Sequence, residues 1–255
     1  PYQTDYRNSV WNCGILPVYR QQLYSVYGEY KSTAREFFAT VNLTHNREWY
    51  NRIYEQRIEN GQVQRVSLPL SNHGSGYTVK STLSKGFYDL GLKTSLMALL
   101  NISKAEQISG GQRLPYQYRL MRLEPKVIWT PNRHWETSYQ TDIRYGGSKI
   151  GERTRLAPLW NVIQQVQLSY IFSPIEASLS VDHYHNDVNE DQSVNAVFAD
   201  FSVSWKSGRW QITATATNLF DKRTYAYTRY ASLESYTSWV RIRPREFLVA
   251  IRYRL

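Results

Sequence analysis

Val197-Phe198-Ala199-Asp200-Phe201-Ser202-Val203-Ser204-Trp205-Lys206-Ser207-Gly208-Arg209-Trp210-Gln211-Ile212-Thr213-Ala214-Thr215-Ala216-Thr217 is the stretch that decides the fold. Val197, Ala199, Phe201, Val203 and Trp205 alternate with Phe198, Asp200, Ser202, Ser204 and Lys206, giving one apolar and one mostly polar face. The second run repeats this, with Trp210, Ile212, Ala214 and Ala216 opposed by Gln211, Thr213, Thr215 and Thr217. Strand side chains point to opposite faces in turn, so a period of two predicts two strands. Lys206 to Arg209 supply a short hairpin turn. Pairing Trp205 with Trp210 sets Val203 opposite Ile212 and Phe201 opposite Ala214, so both strands turn their apolar residues the same way.

The same alternation recurs along most of the chain. Around the turn at Pro131 to Arg133, Trp129 is placed beside Trp135. Met121, Leu123 and Val127 then share a face with Thr137, Tyr139 and Ile143. The other face carries Arg122, Glu124, Lys126, Glu136, Gln140, Asp142 and Arg144, with Arg122 expected opposite Asp142. Eleven strands are predicted, over 22–30, 35–46, 77–88, 92–103, 116–130, 134–145, 160–172, 175–186, 194–206, 209–220 and 244–255. Residues 1–20 read as an irregular lead-in or an undetected strand, and 21–255 as one β unit.

The connections alternate in length. Short turns fall at 31–34, 89–91, 131–133, 173–174 and 207–208, and longer loops at 47–76, 104–115, 146–159, 187–193 and 221–243. Segregation of short turns to one rim and long loops to the other is the pattern of bacterial transmembrane barrels. Aromatic residues sit where such a barrel meets the two membrane interfaces. Tyr30, Phe37, Tyr88, Trp129, Trp135, Phe172, Trp205 and Trp210 flank the short turns; Trp49, Tyr50, Tyr77, Tyr116, Tyr145, Trp160 and Tyr184 lie near the loops. Trp129, Trp135, Phe172, Trp205 and Trp210 are expected to form a membrane girdle.

Composition agrees with this reading. Aromatic residues make up 15% of the 255, led by 21 Tyr and 8 Trp, which suits a surface apolar at one end and wet at the other. The longest wholly apolar run, Leu96 to Leu100, is far below the roughly 20 residues of a spanning helix. Mean hydropathy is negative, as a barrel allows, because only alternate residues meet lipid. The single Cys13 has no disulfide partner and no metal-cluster companions. Pro1 to Arg20 has no signal-peptide pattern. The net charge of +10 could point to nucleic acid or anionic lipid, but the cations are spread over strands and loops and form no basic run, which argues against either.

A last strand that ends in the periplasm must descend from the loop at 221–243, and counting back the first strand descends too. An odd count of this kind does not close as a bacterial barrel, where even numbers are the rule. Further sequence upstream is therefore expected, or a twelfth strand within Pro1 to Arg20.

The run Ala214 to Tyr225, with Asn218-Leu219-Phe220-Asp221-Lys222-Arg223-Thr224-Tyr225 at its centre, resembles the end of the penultimate strand of TonB-dependent outer-membrane receptors. The ending Arg243 to Leu255, with Phe247, Val249, Ile251, Tyr253 and Leu255 alternating, is similar to that family's last strand, although the family usually ends in Phe. The resemblance covers roughly the last forty residues. It implies an all-β, antiparallel transmembrane barrel segment, the C-terminal half of a barrel of about 22 strands. It also implies uptake of a nutrient such as a metal chelate, glycan or peptide, by capture at extracellular loops and passage gated by a plug. The implied partners are outer-membrane lipids, a surface lipoprotein and a TonB-type energy-coupling complex, the last acting through N-terminal regions this chain lacks. No plug domain or coupling box occurs in the sequence. A plugless structural or interaction barrel is the alternative, and a soluble β-sandwich would require the apolar faces to pack together.

His183 and His185 project to one side of a predicted strand, yet share it with Ile175, Ala177, Leu179 and Val181, and are read as an interfacial pair and not a metal site. No nucleophile elbow, phosphate loop or zinc-helix motif occurs, so neither enzyme activity nor a cofactor is expected. Asn42-Leu43-Thr44 matches a glycosylation acceptor by a pattern too short to carry weight. The polar face is the candidate lumen: Arg122, Glu124, Lys126, Glu136, Gln140, Asp142, Arg144, Gln165, Gln167, Asp182, Asp200, Arg252 and Arg254. These charges can pair with one another and hydrate the wall, or contact a substrate or plug. Tyr225, Tyr227, Tyr230, Tyr236 and Trp239 in the loop at 221–243 are the candidate ligand contacts, since aromatic loops suit stacking on sugars, peptides or planar chelates.

Overall fold

The structure, a computed structural model, describes residues 2–3, 8–12, 14–59, 62–151, 154–155, 158–188, 191–230 and 235–254. Cys13 and the terminal Leu255 lie outside these. The chain is nearly all β. Its strands are β1 (Tyr2–Gln3), β2 (Asn8–Trp11), β3 (Tyr19–Ser32), β4 (Phe37–Tyr50), β5 (Ile53–Glu59), β6 (Gln62–Leu68), β7 (Asn72–Phe87), β8 (Leu92–Ser109) and β9 (Gln112–Trp129). There follow β10 (Trp135–Ile150), β11 (Thr154–Arg155), β12 (Leu159–Phe172), β13 (Ile175–Asp187), β14 (Ser193–Ser207), β15 (Trp210–Thr217), β16 (Thr224–Tyr230), β17 (Ser235–Arg241) and β18 (Glu246–Tyr253).

Eleven of these, β3, β4, β7, β8, β9, β10, β12, β13, β14, β15 and β18, form an antiparallel meander in which each pairs with the next. Each overlaps a strand expected from the alternation, but the described strands number eighteen, not eleven. The others lie in the supposed lead-in and loops. Residues 47–76 hold the end of β4, the hairpin β5–β6 and the start of β7, and β2 joins β6 in parallel. Residues 221–243 hold the hairpin β16–β17. Residues 104–115 are hardly a loop at all, because β8 and β9 run on to a two-residue turn at Gly110 and Gly111, both at positive φ. β3 and β18 are each paired on one side only, so the meander is an open sheet.

The hairpin registers differ from the sequence expectation by two residues. Trp205 faces Ile212 and Ser207 faces Trp210, across a two-residue turn at Gly208 and Arg209. Trp129 faces Thr137, Trp135 faces Tyr170, and Arg122 faces Arg144 instead of Asp142. A slip of two preserves the face of every side chain, so alternation alone does not detect it. Turn geometry sets the register here: Gly208 adopts φ 57° and permits the tighter turn.

With these registers one apolar face runs unbroken across all eleven strands. One hydrogen-bonded row reads Val26, Leu43, Val79, Leu100, Met121, Tyr145, Trp160. Farther along, another reads Leu168, Leu179, Phe201, Ala216, Phe247. Nothing in the described chain packs on this face. Val26 is 66% exposed, Leu43 45%, Met121 44%, Phe201 41% and Phe247 73%, and among the described residues the buried apolar ones are Ile53, Ile108, Leu159, Ala196, Ala199 and Ala226. The accessible surface is 17484 Å², against about 11,700 Å² for a compact protein of this mass. The apolar faces do not pack together as a sandwich.

Beside the short turns Tyr30, Phe37, Phe87, Trp129, Trp135, Phe172, Trp205, Trp210 and Tyr253 belong to that face, whereas Phe38 has the opposite parity and Tyr88 lies in the turn itself. They do not follow one hydrogen-bonded row. From Tyr30 on β3 to Tyr253 on β18 their line shifts by about one residue per strand. With roughly 3.3 Å per residue and 4.8 Å per strand, the line crosses the rows at about 35°. Near the long connections Tyr77, Tyr145 and Trp160 keep to the apolar face. Tyr50, Tyr116 and Tyr184, read as interfacial from the sequence, fall by parity on the polar face instead.

Gly91 shows how tightly the short turns are built. It sits at φ 58°, and a Cβ there would collide with the Thr130 carbonyl, whose neighbouring N–H donates to the Gly91 carbonyl at 2.8 Å. Gly208 has φ 57° with open space around it. Gly91→Ala is expected to cost about 3 kcal/mol, from left-handed strain plus collision, and Gly208→Ala about 1 kcal/mol from strain alone. Urea unfolding of the two variants measures the difference; equal losses would contradict the close approach at Gly91.

Candidate functional site

The polar face gathers charge at the interruption of one ladder. Pro125 has no N–H to donate, and pairing between β9 and β10 lapses between Lys126–Gln140 and Leu123–Ile143 before resuming in the same register. Glu124 and Asp142 lie in that gap. Asp142 accepts a bidentate pair from Arg122, Nε at 2.9 Å and Nη2 at 3.0 Å, and another contact from Arg144 Nη2 at 2.5 Å. Arg122 also pairs with Glu124. The four charges cancel within the cluster, and the bidentate geometry fixes the Arg122 plane. Arg122 and Asp142 thus meet as the sequence suggests, but diagonally across the strands.

The hairpin β16–β17 folds over this face, against β10, β13 and β14. It is held by Tyr225, whose hydroxyl accepts from Asn186 Nδ2 at 2.9 Å and whose ring meets Tyr184 edge-on at 5.2 Å. Ala226 and Thr228 are buried. Between hairpin and sheet lies a cleft of about 570 Å³, bordered by Tyr118, Arg122, Asp142, Arg144, Asn161, Asn186, Tyr225 and Tyr227. Its size suits a small ligand. Its walls combine tyrosine rings, two amides and the ion-paired Arg122, Asp142 and Arg144, which can stack on a flat or ring-shaped molecule and hydrogen-bond its polar edge.

The placement of the tyrosines follows from one corner. Asn218 (φ 51°) and Asp221 (φ 52°) turn the chain out of β15. Asn218 is 6% exposed; its Nδ2 donates to the carbonyls of Lys222 and Arg243, both at 2.8 Å, and its Oδ1 accepts from the Lys222 N–H at 3.0 Å. Its own N–H donates to Asp200 Oδ1 at 2.7 Å. Asp221 accepts from the Arg245 N–H and the Arg223 guanidinium, and the Arg223 hydrogen bond holds its carboxyl below the usual range. One amide therefore ties together the exit from β15, the base of β16 and the approach to β18. Asn tolerates this left-handed conformation better than other side chains.

The remaining candidates divide. Gln165 donates to Asp182 at 3.2 Å, and Asp200 serves the corner, a role its alternation did not signal. Lys126, Glu136, Gln140, Gln167 and Arg252 share the polar face by register, and Arg254 follows β18; none of these six borders the cleft. Of the loop aromatics, Tyr225 and Tyr227 line the cleft, while Trp239 is 70% exposed. The side chains of Tyr230 and Tyr236 lie outside those described. Tyr118, Asn161 and Asn186 were not singled out from the sequence; only strand register reveals that they border one space. His183 bonds Gln164 at 3.0 Å and His185 bonds Asn195 at 2.9 Å, and among the described residues no three metal-ligating side chains converge. Comparison with protein-family models, curated proteins and solved structures finds no match.

Asn218→Ala removes three side-chain hydrogen bonds of a buried amide at positive φ, with an expected cost of about 3 kcal/mol. Asn218→Asp keeps only the acceptor, sets a carboxylate oxygen against the Lys222 and Arg243 carbonyls, and should cost at least as much. Limited proteolysis within 224–241 reads the result: faster cleavage in Asn218→Ala is expected, and wild-type resistance would show that the corner does not hold the hairpin.

Proposed function

We propose that this chain forms the C-terminal part of the barrel wall of a TonB-dependent outer-membrane transporter, with the cleft beneath β16–β17 facing the lumen. The observation that carries the reading is the apolar face of eleven strands on which no part of the described chain packs. Exposed apolar patches of soluble monomers are ordinarily a few hundred Å². A strand-built face of this extent fits bilayer hydrocarbon, where alternate residues meet lipid and the backbone is satisfied between strands.

Two further features support it. The oblique aromatic line becomes level with a membrane interface if the strands tilt by about 35°, as membrane barrels do. On β10, Trp135 and Tyr145 are ten residues apart, about 33 Å along the strand and roughly 27 Å along the membrane normal at that tilt, close to an apolar band of about 25 Å. The free edges of β3 and β18 would be closed by further strands, in keeping with the C-terminal half of a barrel of about 22. The Asn-Leu-Phe-Asp corner carries the family resemblance, and plug gating and energy coupling belong to the reading through that resemblance alone. In it, a nutrient such as a glycan, peptide or metal chelate is captured at the loop side and passes along the polar face when a plug moves, with a surface lipoprotein as an expected partner. No bond chemistry is assigned to the wall.

Intact mass and peptide mapping of the polypeptide purified from outer membranes test this. A chain near twice this length, with a plug and coupling box upstream of Pro1, is expected; a natural chain that begins near Pro1 would contradict the transporter reading.

A further inference from the structure

We propose that the outward face binds the phosphorylated headgroups of anionic lipid at its long-connection rim; the inference rests on the membrane reading above. The site is a row of residues hydrogen-bonded from strand to strand: Arg47 on β4, Ser75 on β7, Lys104 on β8, Gln117 on β9 and Lys149 on β10. All five share the parity of the apolar face. Arg119, two residues from Gln117 on that face, lies beside Gly147, which contributes no side chain.

Cations and neutral hydrogen-bonding groups thus alternate along the row. Lys104 and Lys149 flank Gln117 on its two neighbouring strands, about 10 Å apart, with Arg119 below them. Among the described residues no carboxylate pairs with Arg47, Lys104, Arg119 or Lys149. The acid nearest in sequence, Glu106, is engaged by Arg113 at 3.0 Å. Four cations without a counter-ion repel one another, and an external anion relieves that repulsion.

Height on the wall selects a lipid as the source of the anion. Arg119 is ten residues from Trp129 within β9 and Arg47 ten from Phe37 within β4, where the apolar band ends, while Lys104, twelve from Leu92, and Lys149, fourteen from Trp135, stand above it at headgroup height. Next below the row lie His45, Tyr77, Ile102 and Arg119, and four residues nearer the short turns the wholly apolar row Leu43, Val79, Leu100 and Met121. A headgroup phosphate among the cations would rest its acyl chains on those residues. Arg47, Ser75, Lys104, Gln117 and Lys149 also border a cleft of about 580 Å³, room enough for a phosphorylated headgroup; Glu48 and Glu106 border it too, the first taken up by the Tyr50 hydroxyl at 2.8 Å and the second by Arg113.

The test uses the protein in neutral detergent micelles, with bound lipid counted by native mass spectrometry. Dimyristoyl phosphatidic acid is the probe, phosphatidylcholine the neutral comparison, and inorganic phosphate the competitor. Wild type is expected to retain phosphatidic acid in preference to phosphatidylcholine, with excess inorganic phosphate unable to displace it. The triple variant Lys104→Gln, Arg119→Gln, Lys149→Gln should lose that retention about tenfold. Arg35→Gln, Arg133→Gln, Arg209→Gln, which removes equal charge at the short turns, should keep it. Equal loss in both variants, wild-type retention in the first, or displacement by inorganic phosphate would each overturn the proposal. Protease protection of the strands in bilayers separates the two readings. A protein that inserts but shows no phosphatidic acid preference loses this site alone; one that fails to insert loses the membrane reading as well.

Discussion

Every other feature of this molecule depends on a sheet whose apolar face is covered by none of the described residues. Burial of apolar surface is the dominant favourable term in folding, at roughly 25 cal/mol per Å². Here that term is unused on one side of eleven strands, while the other side carries charge and amide groups. In the proposed reading the surroundings supply the missing apolar contact. The polar face then needs its own satisfaction, and the structure provides it locally: Arg122, Arg144, Glu124 and Asp142 neutralise one another, and the Asn218 corner folds a hairpin across the sheet.

The two faces impose different demands on residue choice. On the outer face a side chain needs to be apolar or aromatic, and Ala98, Leu123 and Ile143 meet that demand in a single hydrogen-bonded row. On the inner face the positions are particular. Asp200 is required by the Asn218 N–H, and Asn186 by the Tyr225 hydroxyl. In the turn between β7 and β8, Gly91 is required by the approach of the Thr130 carbonyl. The cleft arises where such particular contacts hold the hairpin off the sheet.

This difference explains what the sequence made legible. Alternation in Val197 to Thr217 identified the strands and their faces, because period two is a property of the backbone. It did not identify register, since Trp205 opposite Ile212 and Trp205 opposite Trp210 satisfy the same alternation. Strands beyond the apolar band were also hidden. Residues 104–115 carry no run of apolar alternation, and only Gly110-Gly111 marks the turn. β5, β6, β16 and β17 are seven residues each and pack in part on other strands, so their patterns are short and mixed. The cleft was the least legible feature: Tyr118, Asn161 and Tyr225 are remote in sequence and meet only once the register is known.

The central claim is that the outer face lies against hydrocarbon. Spin labels placed one at a time along residues 95–101 of β8, with Cys13 replaced by Ser and the protein in bilayers, test it through collision with apolar oxygen and with a water-soluble nickel chelate. The account predicts oxygen maxima at 96, 98 and 100 and nickel maxima at the positions between. Nickel access on both faces, or access of neither reagent at 96, 98 and 100, would contradict it.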